Sequence, residues 1–542
     1  MKKIIYRIED KTIGLWEFIM GVLVIATLRD LIEVIQKTGF IYSNHANPFA
    51  DFKVFFLHFN SFFFLTFLAL SLSLYLFTHN HNNVSNCFKV GLFAMPLILF
   101  PPIFDALIGN REWMRYPGNP VSVIKDLQHF FNPFYNLHDI QIGQRYAATI
   151  ATLLAGWYIH LKTHKIWKSV VGGICFLSVI FVLGFTVPTL CQLYENGLHF
   201  KNDFSPHTSL LLQTGQVLGN TAQKIAALYL LLIICLSAIT FYIYHKEKCK
   251  AIIANFRFTR TVHYLVLFFA GFLFALFLPA QYDINAEYVK TFISRNPFEY
   301  IGVSVAALSV FFSFQSAVIF NDIYDFDIDK ISKLKRPLVS KVVDITEYKN
   351  LAKLFLFLAF LLSLCVNEAF FLMILACNGL AYLYSNPPFR LRKYFIISNA
   401  ILAVIAMVTF YAGATVLATE YSFQIIPAKV SLVLLAGFFL SITIKDIKDV
   451  EGDRRHNVKS LMTVFGNKWG LIITAVIITT TIIMIPFMLQ INGMQLLSVI
   501  IAVLFNLALF FVKYKKETLI FVLYYLYLVV LFYLLVFKQH GY

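Results

Sequence analysis

A succession of long apolar runs restricts this chain more than any other feature, with nearly all of its charge gathered in the short stretches between them. A bilayer core is crossed by roughly 20 apolar helical residues. Fifteen candidate spans read near 13–33, 54–78, 87–109, 147–162, 169–191, 221–244, 262–280, 297–320, 351–366, 369–385, 395–418, 426–444, 469–489, 494–513 and 517–537. The first is weakened by Arg29, Asp30 and Glu33. Only 14% of the residues are charged and 59% are hydrophobic, against about 25% charged in a soluble domain. The expected fold class is therefore an all-α polytopic membrane protein. No cleavage site for a signal peptide follows Met1–Lys11, which leads straight into a span. The seven Cys lie scattered and mostly within apolar runs, with no CxxC pair, so they read as small buried hydrophobes.

The net charge of +16 has a membrane explanation and calls for no nucleic acid. Short basic loops stay on the cytoplasmic side. The basic connections are Lys246–Arg260, Lys330–Lys349, Arg390–Lys393, Lys445–Lys459 and Lys513–Lys516. Threading fifteen spans puts all of them on one side. The opposite connections, around Glu368, Thr419–Glu420 and Gln490–Gly493, hold no Lys or Arg. The N-terminus is thus expected inside and the C-terminus outside. A boundary at the basic stretch divides the chain into a membrane domain of about six spans (1–245), a cytoplasmic linker (246–261) and a nine-span domain (262–542).

Carboxylates accumulate at two span ends on that cytoplasmic side. The span at 297–320 runs into Asn321-Asp322-Ile-Tyr-Asp325-Phe-Asp327-Ile-Asp329. At 100° per residue, a continuing helix places Asp322, Asp325 and Asp329 within about 60° of one another, and Asp327 roughly 140° from Asp322. Asp446, Asp449 and Asp453 repeat the same spacing after the 426–444 span. Clustered carboxylates repel and need a compensating cation. Their hard oxygens suit Mg²⁺, which takes the rest of its shell from water and phosphate. Two such faces can bridge metal to a diphosphate, with Lys335, Arg336, Arg454 and Lys459 neutralising its remaining oxygens. The plain alternative is a pair of solvated acidic loops. Matching spacing, on one side, at two span ends favours the site.

Asn321-Asp322-x-x-Asp325-x-x-x-Asp329 resembles the NDxxDxxxD motif of the UbiA superfamily of intramembrane prenyltransferases. Lys335-Arg336-Pro337-Leu338 is similar to its Arg-Pro segment, Tyr384–Leu391 to its YSxPPxRL segment, and Asp449-x-x-x-Asp453 to its second motif. The resemblance covers about residues 255–542. It implies a nine-helix transmembrane bundle, here preceded by about six additional helices. It also implies Mg²⁺ and an isoprenyl diphosphate as partners. Asp322, Asp325, Asp329, Asp449 and Asp453 would be its metal carboxylates, with Asn321, Lys335, Arg336 and Lys459 in contact with the diphosphate. Asp446 joins the metal set on spacing. Arg390 and Lys393 read as ordinary loop charges before they read as phosphate contacts. The family's RPLPSG turn appears as Arg336-Pro337-Leu338-Val339-Ser340-Lys341, without its second Pro and its Gly.

The acceptor stays open among a lipophilic aromatic, a quinone precursor, a glycerol phosphate and a phosphorylated sugar of the polyprenyl phosphoribose type. A cation or lipid transporter is the reading from another class, but transporter sites lie near the midplane on broken helices. Residues 1–245 carry no recognised motif. Their outer loops hold Trp113, His129, His138 and Asp139, then Glu195, His199, Asp203 and His207, and read as solvated loop residues because no metal-ligand spacing appears. Phe130, Phe131, Phe134 and Tyr135 read as an interfacial loop helix. The threading predicts a specific labelling pattern in a cysteine-free background. Ser340→Cys should react with a membrane-impermeant maleimide only from the cytoplasmic face, and Thr419→Cys only from the other.

Overall fold

A computed structural model describes residues 2–38, 53–109, 120–132, 135, 137, 140–195, 217–218, 221–277, 297–327, 330, 336–417, 426–442, 450, 454, 459–491, 493–511 and 517–534. Among the described residues there is no strand. Each of the fifteen apolar runs contains a helix. Among the described residues, ten helices are long and apolar enough to cross a membrane. The helices over 13–33 and 147–162 are not among them, and three near the C-terminus, Ala428–Ser441, Gln495–Phe511 and Val522–Leu531, are shorter. The chain is an all-α, multi-pass membrane protein. Its packing forms two compact units, residues 1–214 with 218–240, and residues 215–217 with 241–542.

The first unit comprises α1 (Lys2–Glu9), α2 (Leu15–Thr38), α3 (Asn60–Thr78), α4 (Val84–Ala94), α5 (Phe100–Leu107), α6 (Pro120–His129), α7 (Ile142–Thr163), α8 (Ile166–Phe181), α9 (Val187–Glu195) and most of α10 (Thr221–Tyr244). Buried polar side chains fasten its ends. The Glu9 carboxylate accepts from Tyr158 at 2.8 Å and from Lys162 at 2.6 Å, which ties α1 to α7. Arg145 donates to the carbonyls of His129, Phe130, Asn132 and Tyr135, so one guanidinium gathers the turn after α6. That turn is where an interfacial helix was expected, but the helix stops at His129. Phe130 instead packs in the core at 4.8 Å from Phe181. His129 stacks on Tyr135 at 4.0 Å. Asp105 is fully buried and accepts from the Gly143 N–H at 3.0 Å, satisfying an orphan donor of the first turn of α7. Trp113, His138, Asp139, His199, Asp203 and His207 lie outside the described residues.

The second unit comprises α11 (Lys246–Ala254), α12 (Phe258–Phe277), α13 (Pro297–Tyr324), α14 (Ile345–Val366), α15 (Glu368–Ser385), α16 (Phe395–Thr415), α17 (Ala428–Ser441), α18 (Leu461–Leu489), α19 (Gln495–Phe511) and α20 (Glu517–Tyr533). Apolar packing alone aligns helices weakly in lipid, so small residues and interhelical hydrogen bonds do much of it. On α13, Ser309 and Ser316 donate to the carbonyls of Ala359 and Ala352 on α14, at 2.7 and 2.9 Å. The Asn367 side chain serves two helix ends. Its carboxamide oxygen caps α15 at the Phe370 N–H, and its amide donates to Thr415 and Val416 at the end of α16.

Where α12 crosses α16, two glycines let the backbones touch. A Cβ on Gly271 would sit 1.8 Å from the Phe410 carbonyl oxygen, and one on Gly413 would sit 1.9 Å from that of Phe268. Gly379 on α15 meets nothing within 4 Å. We expect Gly413→Ala to force the helices apart and cost about 1–3 kcal/mol or more. Gly379→Ala should be neutral or slightly stabilising. Thermal unfolding of the two variants in detergent checks the contrast.

Candidate active site

Apolar packing builds the platform. Ile252 of α11, Ile319 of α13, Leu338 and Val343 of the following turn, and Tyr348 and Ala352 of α14 form one buried cluster. It brings the segment before α12, the end of α13 and the Arg336 turn to one place.

On this platform, α13 ends at Tyr324 and delivers Asp322 and Asp325, which are only 2% and 4% exposed. The Asp322 carboxylate accepts from Asn255 at 2.7 Å and from the guanidiniums of Arg257 and Arg336. Asn255 also donates to the Tyr348 hydroxyl at 2.9 Å. The Asp325 carboxylate accepts from Arg390 at 3.0 Å, from Asn321 at 2.8 Å and from Arg392. Asn321 is itself fixed through its carbonyl oxygen, which accepts from Ser385 at 3.1 Å and Arg392 at 3.3 Å.

Four guanidiniums thus converge on two carboxylates, an excess of two positive charges among these residues. Burial pushes the Arg336 guanidinium below its ordinary value, while the adjacent Asp322 acts in the opposite direction. The Arg390 Nε–H is buried and has no acceptor among the described residues. An open guanidinium N–H beside surplus positive charge is a donor set for an anion with several oxygens, such as a phosphate.

The donor set also fits Mg²⁺. The cation is commonly held by one or two protein carboxylates, the remainder of its shell being water and substrate phosphate. Asp322 and Asp325 supply two such carboxylates, and Asn321 a carboxamide oxygen. Among the described residues no group of three or more His, Cys, Asp or Glu is gathered for a metal. Asp329, Asp446, Asp449, Asp453 and Lys335 lie outside the described residues. Asp327, set apart on helical spacing, is indeed exposed and pairs with Lys330 at 3.1 Å. Arg454 is exposed and donates to Asn467 at 3.3 Å. Lys459 is exposed directly ahead of Ser460, the N-cap of α18.

Residues 291–529 match the UbiA prenyltransferase family. A digeranylgeranylglyceryl phosphate synthase of Methanocaldococcus jannaschii is 30% identical over 218 residues, which is 39% of this chain and 73% of that protein. This chain belongs to the UbiA prenyltransferase family. A second digeranylgeranylglyceryl phosphate synthase, of Methanosphaera stadtmanae, is 22% identical over 218 residues, 39% of this chain and 75% of the relative. A solved UbiA homologue from Archaeoglobus fulgidus, bound to GPP and Mg²⁺, aligns with a TM-score of 0.40 at 18% identity, over 53% of this chain and 98% of that one.

Within this UbiA-family site, Asn255, Arg257 and Arg392 are the residues that sequence reasoning passed over, and Arg390 was read as a loop charge. Arg257 and Arg390 share a signature that only the backbone reveals, since both have φ of 42°. Left-handed conformations in bulky residues persist where the surroundings hold them. Here each guanidinium is anchored on a buried aspartate. Lys341, also left-handed at φ 57°, stands where the family's turn carries Gly. The turn survives that loss, with the Ser340 N–H bonded to the Arg336 carbonyl at 2.8 Å. Lys341→Gly should relieve the backbone and raise stability by up to about 1 kcal/mol, read as a higher thermal midpoint with the site intact.

Proposed function

We propose that this UbiA-family protein transfers a prenyl group from an isoprenyl diphosphate to a membrane-associated acceptor and releases diphosphate. The observation that supports it most is the buried Asp322–Asp325 pair held by four guanidiniums, with the Arg390 Nε–H left open. A site for a bare cation would carry surplus negative charge. This one carries surplus positive charge, which favours an anionic ligand over cation transport.

The residues proposed to hold Mg²⁺ are Asp322, Asp325, Asp329, Asp446, Asp449 and Asp453. Asn321, Lys335, Arg336, Lys459 and Arg454 are proposed for the diphosphate. To these we add Arg257, Arg390 and Arg392, already placed on the first carboxylate pair. The bound metal supplies a Lewis acid that offsets charge on the diphosphate oxygens. Arg257, Arg336, Arg390 and Arg392 can turn from carboxylate to phosphate oxygens when the donor arrives, exchanging one set of forked, charge-assisted bonds for another. Asn321 holds Asp325 in orientation during that exchange.

The chemistry is a substitution at C1 of the prenyl group. The C1–O bond breaks with its electron pair on the departing diphosphate, the acceptor nucleophile bonds to C1, and the acceptor loses its proton. The arginines bind the leaving group as its charge grows, an interaction stronger in the transition state than in the ground state. Digeranylgeranylglyceryl phosphate synthases among the relatives support a glycerol-phosphate lipid as the first acceptor to try. The basic loops on one side of the threading support a cytoplasmic site.

Incubation with geranylgeranyl diphosphate, Mg²⁺ and a panel of glycerol-phosphate, aromatic and sugar-phosphate acceptors tests the reading. We expect diphosphate release coupled to a prenylated product, abolished by EDTA and restored by Mg²⁺. Asp325→Asn and Asp449→Asn should each lower the rate by ~10²-fold or more. Arg390→Ala should raise KM for the donor, with Arg390→Lys restoring it only in part. Release unaffected by both aspartate variants would sink the assignment.

A further inference from the structure

The first unit encloses a chamber of about 260 Å³ among α2, α3, α4, α5, α7 and α8. Phe67, Leu70, Phe176 and Phe181 make its wall apolar. For scale, an engineered apolar cavity of ~150 Å³ holds a benzene. Two residues of the lining, Ala94 of α4 and Leu154 of α7, are exposed on the outer surface. The chamber is therefore reached from the outer surface between apolar helices.

Its polar points are few and unusual. Ser71 is 1% exposed, and its hydroxyl has no hydrogen-bond partner among the described residues. The Thr66 hydroxyl, one and a half turns earlier on α3, is also without one. Both side chains line the chamber, as does Arg29 of α2. A buried polar group left unpaired costs free energy, and helical Ser and Thr commonly avoid that by bonding to the carbonyl four residues back. Thr78, on the same helix, does so at 2.8 Å.

Arg29 is 3% exposed, lies 5.3 Å from the ring of Phe59, and pairs with Asp30 at 3.0 Å and with Glu33. One guanidinium against two carboxylates gives the triad a formal charge of −1. The second oxygens of both acids, Asp30 Oδ2 and Glu33 Oε1, are buried and unpartnered among the described residues. Arg29 is the charged residue of the chamber lining and is already paired with two carboxylates, so the chamber offers no free cation to an anionic head group, in contrast to the surplus of arginine in the second unit. Buried charged groups among apolar helices are expensive and often mark function.

We propose that the N-terminal unit is a lipid-binding module for a single-chain lipid with an uncharged, hydroxyl-bearing head. The head hydrogen-bonds at Thr66 and Ser71. A single chain runs along the aromatic wall and leaves past the exposed Ala94 and Leu154, because the chamber is too small for two acyl chains. An isoprenoid alcohol and a monoacylglycerol share this chemistry.

The full-length protein in lipid nanodiscs is photolysed with geranylgeraniol carrying a diazirine beside its hydroxyl, and the labelled peptides are mapped. Labelling should fall on Asn60–Thr78 and Val84–Ala94. Excess geranylgeraniol or monoolein should compete, the stronger competitor identifying the lipid class, while geranylgeranyl diphosphate should not. The isosteric pair Thr66→Val and Ser71→Ala should cut labelling roughly fivefold or more. Ala151→Trp, which fills the chamber, should cut it at least ~10-fold, with thermal unfolding verifying that each variant is folded. Labelling confined to residues 258–534, equal competition by the diphosphate, or indifference to both folded variants would overturn the proposal.

Discussion

Two buried carboxylates at the end of a membrane helix set the terms for the second unit. Isolated in a low-dielectric environment, Asp322 and Asp325 would each carry a desolvation penalty of several kcal/mol. Their guanidinium partners come from three separate stretches of chain: Arg257 ahead of α12, Arg336 after α13, and Arg390 and Arg392 after α15. Pairing these charges ties the ends of those helices together. It also leaves the site rich in forked donors.

The constraint works only because the helices beneath are held in register. Serine hydroxyls on α13 donate to α14, and Gly271 and Gly413 bring α12 against α16 backbone to backbone. The cluster containing Ile252, Ile319, Leu338 and Tyr348 then sets the heights of the charged segments relative to one another. Hydrophobic transfer cannot perform this alignment in a bilayer, since lipid tails are as apolar as leucine.

The first unit uses the same physics. Glu9, Asp105 and Arg145 are buried, and each is bonded to a helix end or a turn, as structural polar groups are. The hydroxyls of Thr66 and Ser71 differ, because they combine burial with unfilled hydrogen-bonding capacity at a cavity wall.

The sequence alone determined the all-α membrane class, the helices in each apolar run, and the separation of Asp327 from the Asp322–Asp325–Asp329 face, of which Asp322 and Asp325 are described and buried. These are local properties: hydropathy over 20 residues, and 100° per residue along one helix. Tertiary structure decided which cations serve those carboxylates. Asn255, Arg257 and Arg392 lie 65 to 71 residues from their partners in several cases, inside segments that read as loop charge. Nothing in a linear pattern separates a solvated loop arginine from one held on a buried aspartate, because that difference arises only when helices distant in sequence pack together. The Thr66–Ser71 chamber was illegible for the same reason: its wall is assembled from helices that lie far apart in the sequence.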